Sequence, residues 1–312
     1  MKYRTLGRGG PRISALGLGT TSLMGIFGRR DPDVVADTLR HGLDRGINVL
    51  DTAPSYGGGF AEEIVGRVLR GRRDEVVLST KVGCWAPEEF DFSARRIREG
   101  FEDSLRRLGT DHVDVLLAHD IEYGDPEEIT GTVLPLLARL KEEGKARAVG
   151  VSGLPLPVLD GAVATGGVDV VLSYCRYGLH DTALEKPAVR WAEDGVTTLL
   201  GSPVAMGLLT QTGPPSWHPG SLELRAAASR AAALCAREGT DLALLALQFA
   251  LANENLGTVL TGTGDRAHLA EMVRAADTPP DPQLLTAVLA EFADVPDVSW
   301  PSGGGRWPGT AA

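Results

Sequence analysis

Two spacings of hydrophobic residues take turns along this chain. Short runs of branched apolar residues, such as EVVLSTK, VDVLLAH and RAVGVS, have the length and composition of buried strands. Between them lie longer stretches whose apolar positions fall three and four apart, as at Val34, Val35, Leu39 and Leu43, the spacing of one helix face. The pattern predicts strands over Ala15–Gly19, Ile47–Asp51, Val76–Lys81, Val113–His119, Ala146–Ser152, Val168–Ser173, Val196–Gly201 and Gly257–Thr261. It predicts helices over Asp33–Arg45, Ala61–Arg70, Ser93–Leu108, Pro126–Glu143, Pro155–Ala164, Thr182–Asp194 and Arg266–Ala275. Strands that alternate with helices in this way predict an α/β fold, and eight of them can close into a (β/α)8 TIM barrel.

Several segments extend that plan. Tyr3–Leu6 and Arg12–Ser14 flank a Gly and Pro turn and read as an N-terminal β-hairpin placed to plug the lower end of the barrel. SPVAMGLLTQTGPPSWHPG follows the seventh strand, then an Ala- and Leu-rich segment long enough for two helices broken near Gly239. Pro282–Phe292 reads as an extra helix and PDVSWPSGGGRWPGTAA as an irregular C-terminal tail whose last few residues are expected to be disordered. No low-complexity linker or second core interrupts the pattern, so residues 1–312 are expected to form a single barrel domain.

Polar residues enter where the strands stop. INVLDTAPSY turns from branched apolar to polar at Asp51, and Pro54 with Gly57, Gly58 and Gly59 rules out a helix directly after it. Later strands end at Lys81, His119 and Ser152. In a parallel barrel the C-terminal strand ends share one mouth, where chemistry sits. Asp51, Tyr56, Lys81 and His119 are therefore expected to meet.

Composition narrows the function. A net charge of -10 argues against a nucleic-acid partner, which calls for clustered Lys and Arg. Cys84, Cys175 and Cys235 are scattered, odd in number and without CxxC spacing; they suit a reducing compartment and support no metal site. MKYRTLGRGG lacks the apolar core of a signal peptide and no run approaches a membrane span, so a soluble cytoplasmic protein is expected.

A free phenol ionises near pH ~10, and a nearby ammonium favours its charged form. Lys81 can supply that ammonium, with Asp51 keeping it protonated. Singly, each residue has an ordinary structural explanation: a turn cap, a solvated strand end, a satisfied buried histidine, loop packing. GLGTTS lacks the third glycine and the helix of a Rossmann fingerprint, which argues against a doubly wound dinucleotide fold.

Asp51, Tyr56, Lys81 and His119 resemble, in order and context, the catalytic tetrad of the aldo-keto reductase superfamily, and the resemblance covers essentially the whole chain; it implies Tyr56 as the general acid and base and His119 as the group that orients the substrate oxygen. DFSARRIR, HDIEYG, GLPL, VLSYCRYG, SPVAMGLLT, GPPSWHP and WPSG resemble a sugar-oxidising branch of it. The resemblance implies a nicotinamide cofactor lying across the mouth. It assigns to it Gly19 and Thr20 with Asp51, then Ser152, Gly153 and Ser173, where Gly153 and Ser173 replace the usual Asn and Gln. It assigns the pyrophosphate to Ser202, Pro203, Val204, Met206, Gly207 and Leu208, through a backbone-amide cradle with Gly207. An aromatic ring usual just before that loop is replaced by Gly201. The adenosine falls to Gly262, Thr263, Gly264, Arg266, His268 and Glu271, with Met272 in place of the usual Asn.

Asp265 would repel a 2′-phosphate, so NAD is expected over NADP. Trp85, Asp120, Tyr123 and Trp300 join Tyr56 and His119 as expected substrate contacts; His180, Tyr177 and Trp217 also fall on mouth loops, and Asp120 and Glu122 either bind hydroxyls or form solvated surface. The implied activity is oxidation of an aldose hemiacetal at C1 to the lactone, with L-galactose the implied substrate and a monomer or weak homo-oligomer the expected state. L-fucose, other aldoses, pyridoxal or another carbonyl compound are alternatives, as is a nicotinamide-binding redox-sensing subunit. An aldolase reading is disfavoured, because Asp51 opposes the unpaired, deprotonated Lys81 that a Schiff base needs.

Overall fold

A computed structural model describes residues 1–21, 24–25, 28–29 and 31–307. The expected terminal disorder concerns residues 308–312, outside the described residues. Eight parallel strands close into a barrel: β1 (Leu16–Gly19), β2 (Val49–Asp51), β3 (Val77–Val82), β4 (Val113–Ala118), β5 (Ala146–Gly153), β6 (Val170–Tyr174), β7 (Thr197–Gly201) and β8 (Leu256–Thr261). Each strand pairs with the next in sequence, and β8 pairs with β1.

The helices α1 (Pro32–Asp44), α2 (Phe60–Leu69), α3 (Ala94–Leu108), α4 (Leu134–Glu142), α5 (Leu156–Ala164) and α6 (Glu185–Glu193) run between the first seven strands. Both α7 (Leu222–Arg237) and α8 (Leu242–Ala252) separate β7 from β8, while α9 (Arg266–Ala275) and α10 (Pro282–Ala290) follow it. Their starts are written in the sequence: Asp31, Ser93, Ser221, Asp241, Asp265 and Asp281 each accept a first-turn backbone N–H.

Three departures from the periodic reading have local causes. The predicted helix Pro126–Glu143 contains a π turn over Ile129–Val133. Pro135 has no N–H to donate and its ring would crowd the carbonyl of Gly131, so the ladder widens there. A hairpin, Cys84–Ala86 with Glu89–Phe90, follows β3 and is too short for periodicity to register; the bridge between Met24–Gly25 and Gly28–Arg29 after β1 escapes for the same reason.

The barrel interior is apolar below and polar at the mouth. Val49, Val77, Val115, Leu117, Ala148, Val170, Leu172, Leu199 and Leu260 fill it. Leu6 and Ile13 of the hairpin Tyr3–Thr5 and Arg12–Ser14 join that cluster, so the hairpin closes the floor as its position predicts. Alternate strand residues, among them Leu50, Leu78, Leu116, Val149, Val151 and Val171, face the helices. A second cluster joins α7, α8, α10 and the turn after β7. Among the described residues, no helix is long and apolar enough to cross a membrane.

Candidate active site

Continuing the inward alternation past the apolar layer, by one step or two, reaches Asp51 on β2, Lys81 on β3, His119 just after β4, Ser152 on β5 and Tyr174 on β6. Their ring of polar groups at the strand ends is the candidate site.

Lys81 is 1% exposed, and its ammonium donates to Asp51 Oδ2 at 2.7 Å and to the Thr52 carbonyl at 2.8 Å. Ser79, two residues earlier on the same face, donates to Asp51 Oδ1 at 2.8 Å. Thr20 closes the far side through its amide, 3.0 Å from the Asp51 carbonyl, and its hydroxyl at 3.1 Å. Burial works to lower the pKa of Lys81, but Asp51 and Tyr56 outweigh it and the net shift is upward, so the ammonium stays charged.

Gly57, Gly58 and Gly59, all at positive φ, turn the chain sharply into α2 and hold Tyr56 over the strand ends. The Lys81 ammonium stands 4.7 Å from the centre of the half-buried Tyr56 ring. The His119 ring meets Tyr56 edge-on, at 5.7 Å and 80°. Burial, with Lys81 adding to it, holds the His119 pKa well below the ordinary imidazole range, so the ring is neutral. For Tyr56 the expectation needs correcting: Lys81 does pull its pKa down, yet burial is the larger effect and the net shift is upward. The phenol is protonated at rest.

Next to His119 lies a buried acidic turn. Asp120 Oδ2 is 3.8 Å from His119 Nε2, and the Asp120 amide donates to Ser152 Oγ at 3.3 Å. Glu122 is 1% exposed, which rules out the solvated-surface reading; its Oε1 accepts from the Leu154 amide at 3.0 Å and from Ser302 of the tail at 2.9 Å. Burial pushes both pKa values up, and at Asp120 the Glu122 carboxyl adds to the shift.

The remaining sequence-assigned residues divide by environment. Gly153 and Ser173 fall on the helix-facing side, register partners of one another. A Cβ on Gly153 would stand 2.4 Å from Glu122 Oε2. In the turn after β7, Ser202, Ala205, Met206 and Gly207 have positive φ, and Ser202, Val204 and Met206 are half-exposed while Pro203, Gly207 and Leu208 are buried. The amides of Gly207 and Leu208 donate to the carbonyls of Val204 and Ala205, which removes Gly207 as a free donor and corrects the expected cradle. After β8, Asp265 caps α9 by accepting from Ala267 and His268, and its own amide donates to Thr263. Arg266 reaches His41 at 3.1 Å, Glu271 approaches Arg274, and Met272 is buried in the core.

Among the aromatics, Trp85 corrects the sequence expectation. It lies under the hairpin, its ring edge where a Cβ on Gly100 of α3 would fall 2.1 Å away, with Arg96 stacked at 4.1 Å. The short hairpin turns it outward, away from the substrate side. Tyr177 packs on Phe249 at 5.3 Å and His180 is buried beneath the loop. Tyr123 stays at the rim, stacked on Phe90 at 4.4 Å, and Trp300 meets His218 edge-on at 5.0 Å. Away from the mouth, a surface cleft of about 640 Å³ between α2 and α3 is lined by arginines that include the ion-paired Arg67, Arg106 and Arg107.

A family model described as Aldo/keto reductase family matches residues 15–288, from β1 to the last helix. The chain belongs to the aldo/keto reductase family. L-galactose dehydrogenase of Arabidopsis thaliana is 40% identical over 314 residues, 97% of this chain and 98% of that protein. D-threo-aldose 1-dehydrogenase of a Pseudomonas species is 30% identical, over 92% of this chain and 96% of the relative. An aldo-keto reductase from Bacillus halodurans, solved in its holo form, superimposes with a TM-score of 0.76 at 29% identity, covering 94% of this chain and 97% of that one. This aldo-keto reductase is therefore an oxidoreductase.

Sequence reasoning passed over three side chains of the site: Ser79, Tyr174 and Ser302. Counting back by two from Lys81 and forward by two from Leu172 finds the first two; nothing local marks Ser302. The buried ion pair at the centre gives a stability test. Lys81→Met leaves the Asp51 charge buried without its partner and is expected to cost about 3–5 kcal/mol in denaturant unfolding. Adding Asp51→Asn is expected to recover part of that loss, and a single variant as stable as the parent would contradict the buried pairing.

Proposed function

We propose that this aldo-keto reductase is an NAD-dependent aldose 1-dehydrogenase that oxidises L-galactose at C1 to the lactone. One observation carries the chemistry: a buried ammonium, fixed by Asp51 and the Thr52 carbonyl, lies over Tyr56 beside a neutral His119. The substrate follows the similarity to L-galactose dehydrogenase along nearly the whole of both chains.

The mouth fits a nicotinamide and a polyol. His119 Nδ1 and Asp120 Oδ1 are buried without hydrogen-bond partners, and Gly19 leaves open space where a Cβ would meet only Leu260, at 4.0 Å. When bound, the nicotinamide supplies a hydride acceptor. Ser152 and Asp120 are placed for its amide end, and the half-exposed Ser202, Val204 and Met206 for the pyrophosphate. Asp265 supports NAD over NADP, because its carboxylate already occupies the first-turn amides of α9 that a 2′-phosphate would seek.

In the oxidative direction Tyr56 accepts the C1 hydroxyl proton, Lys81 stabilises the phenolate that must form beforehand, and Asp51 keeps Lys81 charged. His119, uncharged, orients the substrate oxygen through a hydrogen bond without competing for the proton. The same groups serve carbonyl reduction in reverse, Tyr56 then donating.

NADH formation measured over a panel of aldoses with pyridoxal included, and with NADP in parallel, is expected to single out L-galactose with NAD. Higher kcat/KM for another aldose, for pyridoxal or with NADP replaces that part of the reading. Tyr56→Phe is expected to lower kcat by about 10²–10⁴-fold while nucleotide binding persists; near-parental turnover excludes Tyr56 as the acid and base. Because burial holds the phenol protonated and oxidation needs it deprotonated, kcat/KM for oxidation is expected to rise between about pH 7 and pH 9, with no such rise for reduction. A flat oxidative profile places the proton acceptor elsewhere.

A further inference from the structure

In a closed eight-strand barrel β2 and β6 lie opposite one another. Tyr56 follows β2, and straight across the mouth Tyr174 ends β6, two residues past Leu172 and so on the inward face. Its neighbour on β7 in register is Gly201, where a Cβ would stand 3.1 Å from the Tyr174 Cβ. One strand therefore offers the mouth an aromatic ring, and the next offers room for it.

The far end of that ring is tied down. The Tyr174 hydroxyl interacts with Glu122 and with Ser302 of the tail. Ser302 also donates to Glu122 Oε1 at 2.9 Å, and the Leu154 amide holds the same oxygen at 3.0 Å. The tail is seated on this turn at two more points: the Gly304 amide donates to the Glu122 carbonyl at 3.3 Å, and the buried Trp307 indole to the Ile121 carbonyl at 3.0 Å. Gly303, at φ +95°, passes so close that a Cβ would lie 2.7 Å from the Glu122 carbonyl. Burial and the two carboxyls push the phenol pKa well up, so Tyr174 is unsuited to proton transfer at neutral pH.

A flat redox ring that exchanges hydride with a substrate under Tyr56 has one face turned to that substrate. Its other face must rest on whatever lies across the barrel. We propose that Tyr174 is the surface on which the nicotinamide ring rests, and that Glu122 and Ser302 are positioning residues that hold it, making the C-terminal tail part of the cofactor site. This rests on the nicotinamide-dependent reading above and adds to it a binding residue and a support.

The test compares NAD with ADP-ribose, which carries every part of the dinucleotide except the nicotinamide. Binding of both to the full chain, by calorimetry, is measured for Tyr174→Ala, Tyr174→Phe, Glu122→Ala and Glu122→Gln. Tyr174→Ala is expected to weaken NAD by about three- to tenfold, as the loss of one aromatic stack implies, and to leave ADP-ribose unchanged. Tyr174→Phe keeps the ring and is expected to stay within about twofold for both ligands. Glu122→Ala is expected to follow Tyr174→Ala in direction, with Glu122→Gln restoring binding. Equal losses for NAD and ADP-ribose, or no loss for either in Tyr174→Ala, overturn the proposal even if Glu122→Ala fails to fold. Failure of the parent chain to bind NAD, NADP or ADP-ribose overturns the nicotinamide reading itself, a separate result.

Discussion

Removing a lysine from water inside a protein is costly, and its charge survives only if something nearby compensates for the lost hydration. At the mouth of this barrel the compensation is a carboxylate on the neighbouring strand and a carbonyl from the loop after it, both within 2.8 Å of the Lys81 ammonium. The pair is weak as a source of stability, since two apolar residues of the same shape could hold the strands as well. Its value lies in direction: the ammonium cannot move, so neither can the electric field that it sets at Tyr56. Ser79 and Thr20 serve the same end, fixing the carboxylate and the backbone that present the charge.

Keeping that field in place requires a rigid base, and the barrel supplies it in layers. Side chains of one strand face alternate about every second residue, so Val77, Ser79 and Lys81 form one column, Val115, Leu117 and His119 a second, Val170, Leu172 and Tyr174 a third. Each column is apolar at its foot and polar at its rim. The floor is closed by Leu6 and Ile13, which join the apolar layer beneath the polar one. Burial then sorts the ionisable groups, disfavouring charge on His119 and Tyr56 while Asp51 preserves it on Lys81.

Much of this was legible in the chain because it depends on local repetition. Strand and helix positions followed from hydrophobic spacing, with boundaries within a few residues, and the four convergent side chains followed from strand ends. What escaped reading depends on contacts between distant segments. Trp85 looked like a mouth residue because it follows Lys81 closely, but a two-stranded turn swings it onto α3. Glu122, polar and loop-borne, has the signature of a surface residue until a tail some 180 positions later covers it. The proton affinity of Tyr56 is likewise a sum, and the sequence supplies the sign of one contribution without the size of the other.

That covering segment has a consequence for how the molecule comes into being. The turn between His119 and Tyr123 is anchored by residues 302–307, which a ribosome adds after the eighth strand and the helices behind it. A nascent chain can assemble its cylinder while still tethered, but the rim beside the imidazole stays unfastened until translation has passed the tryptophan that locks it. Fastening of that rim is thereby coupled to synthesis of residues 302–307, and a chain cut short before Ser302 would keep its barrel strands and lose the fastening.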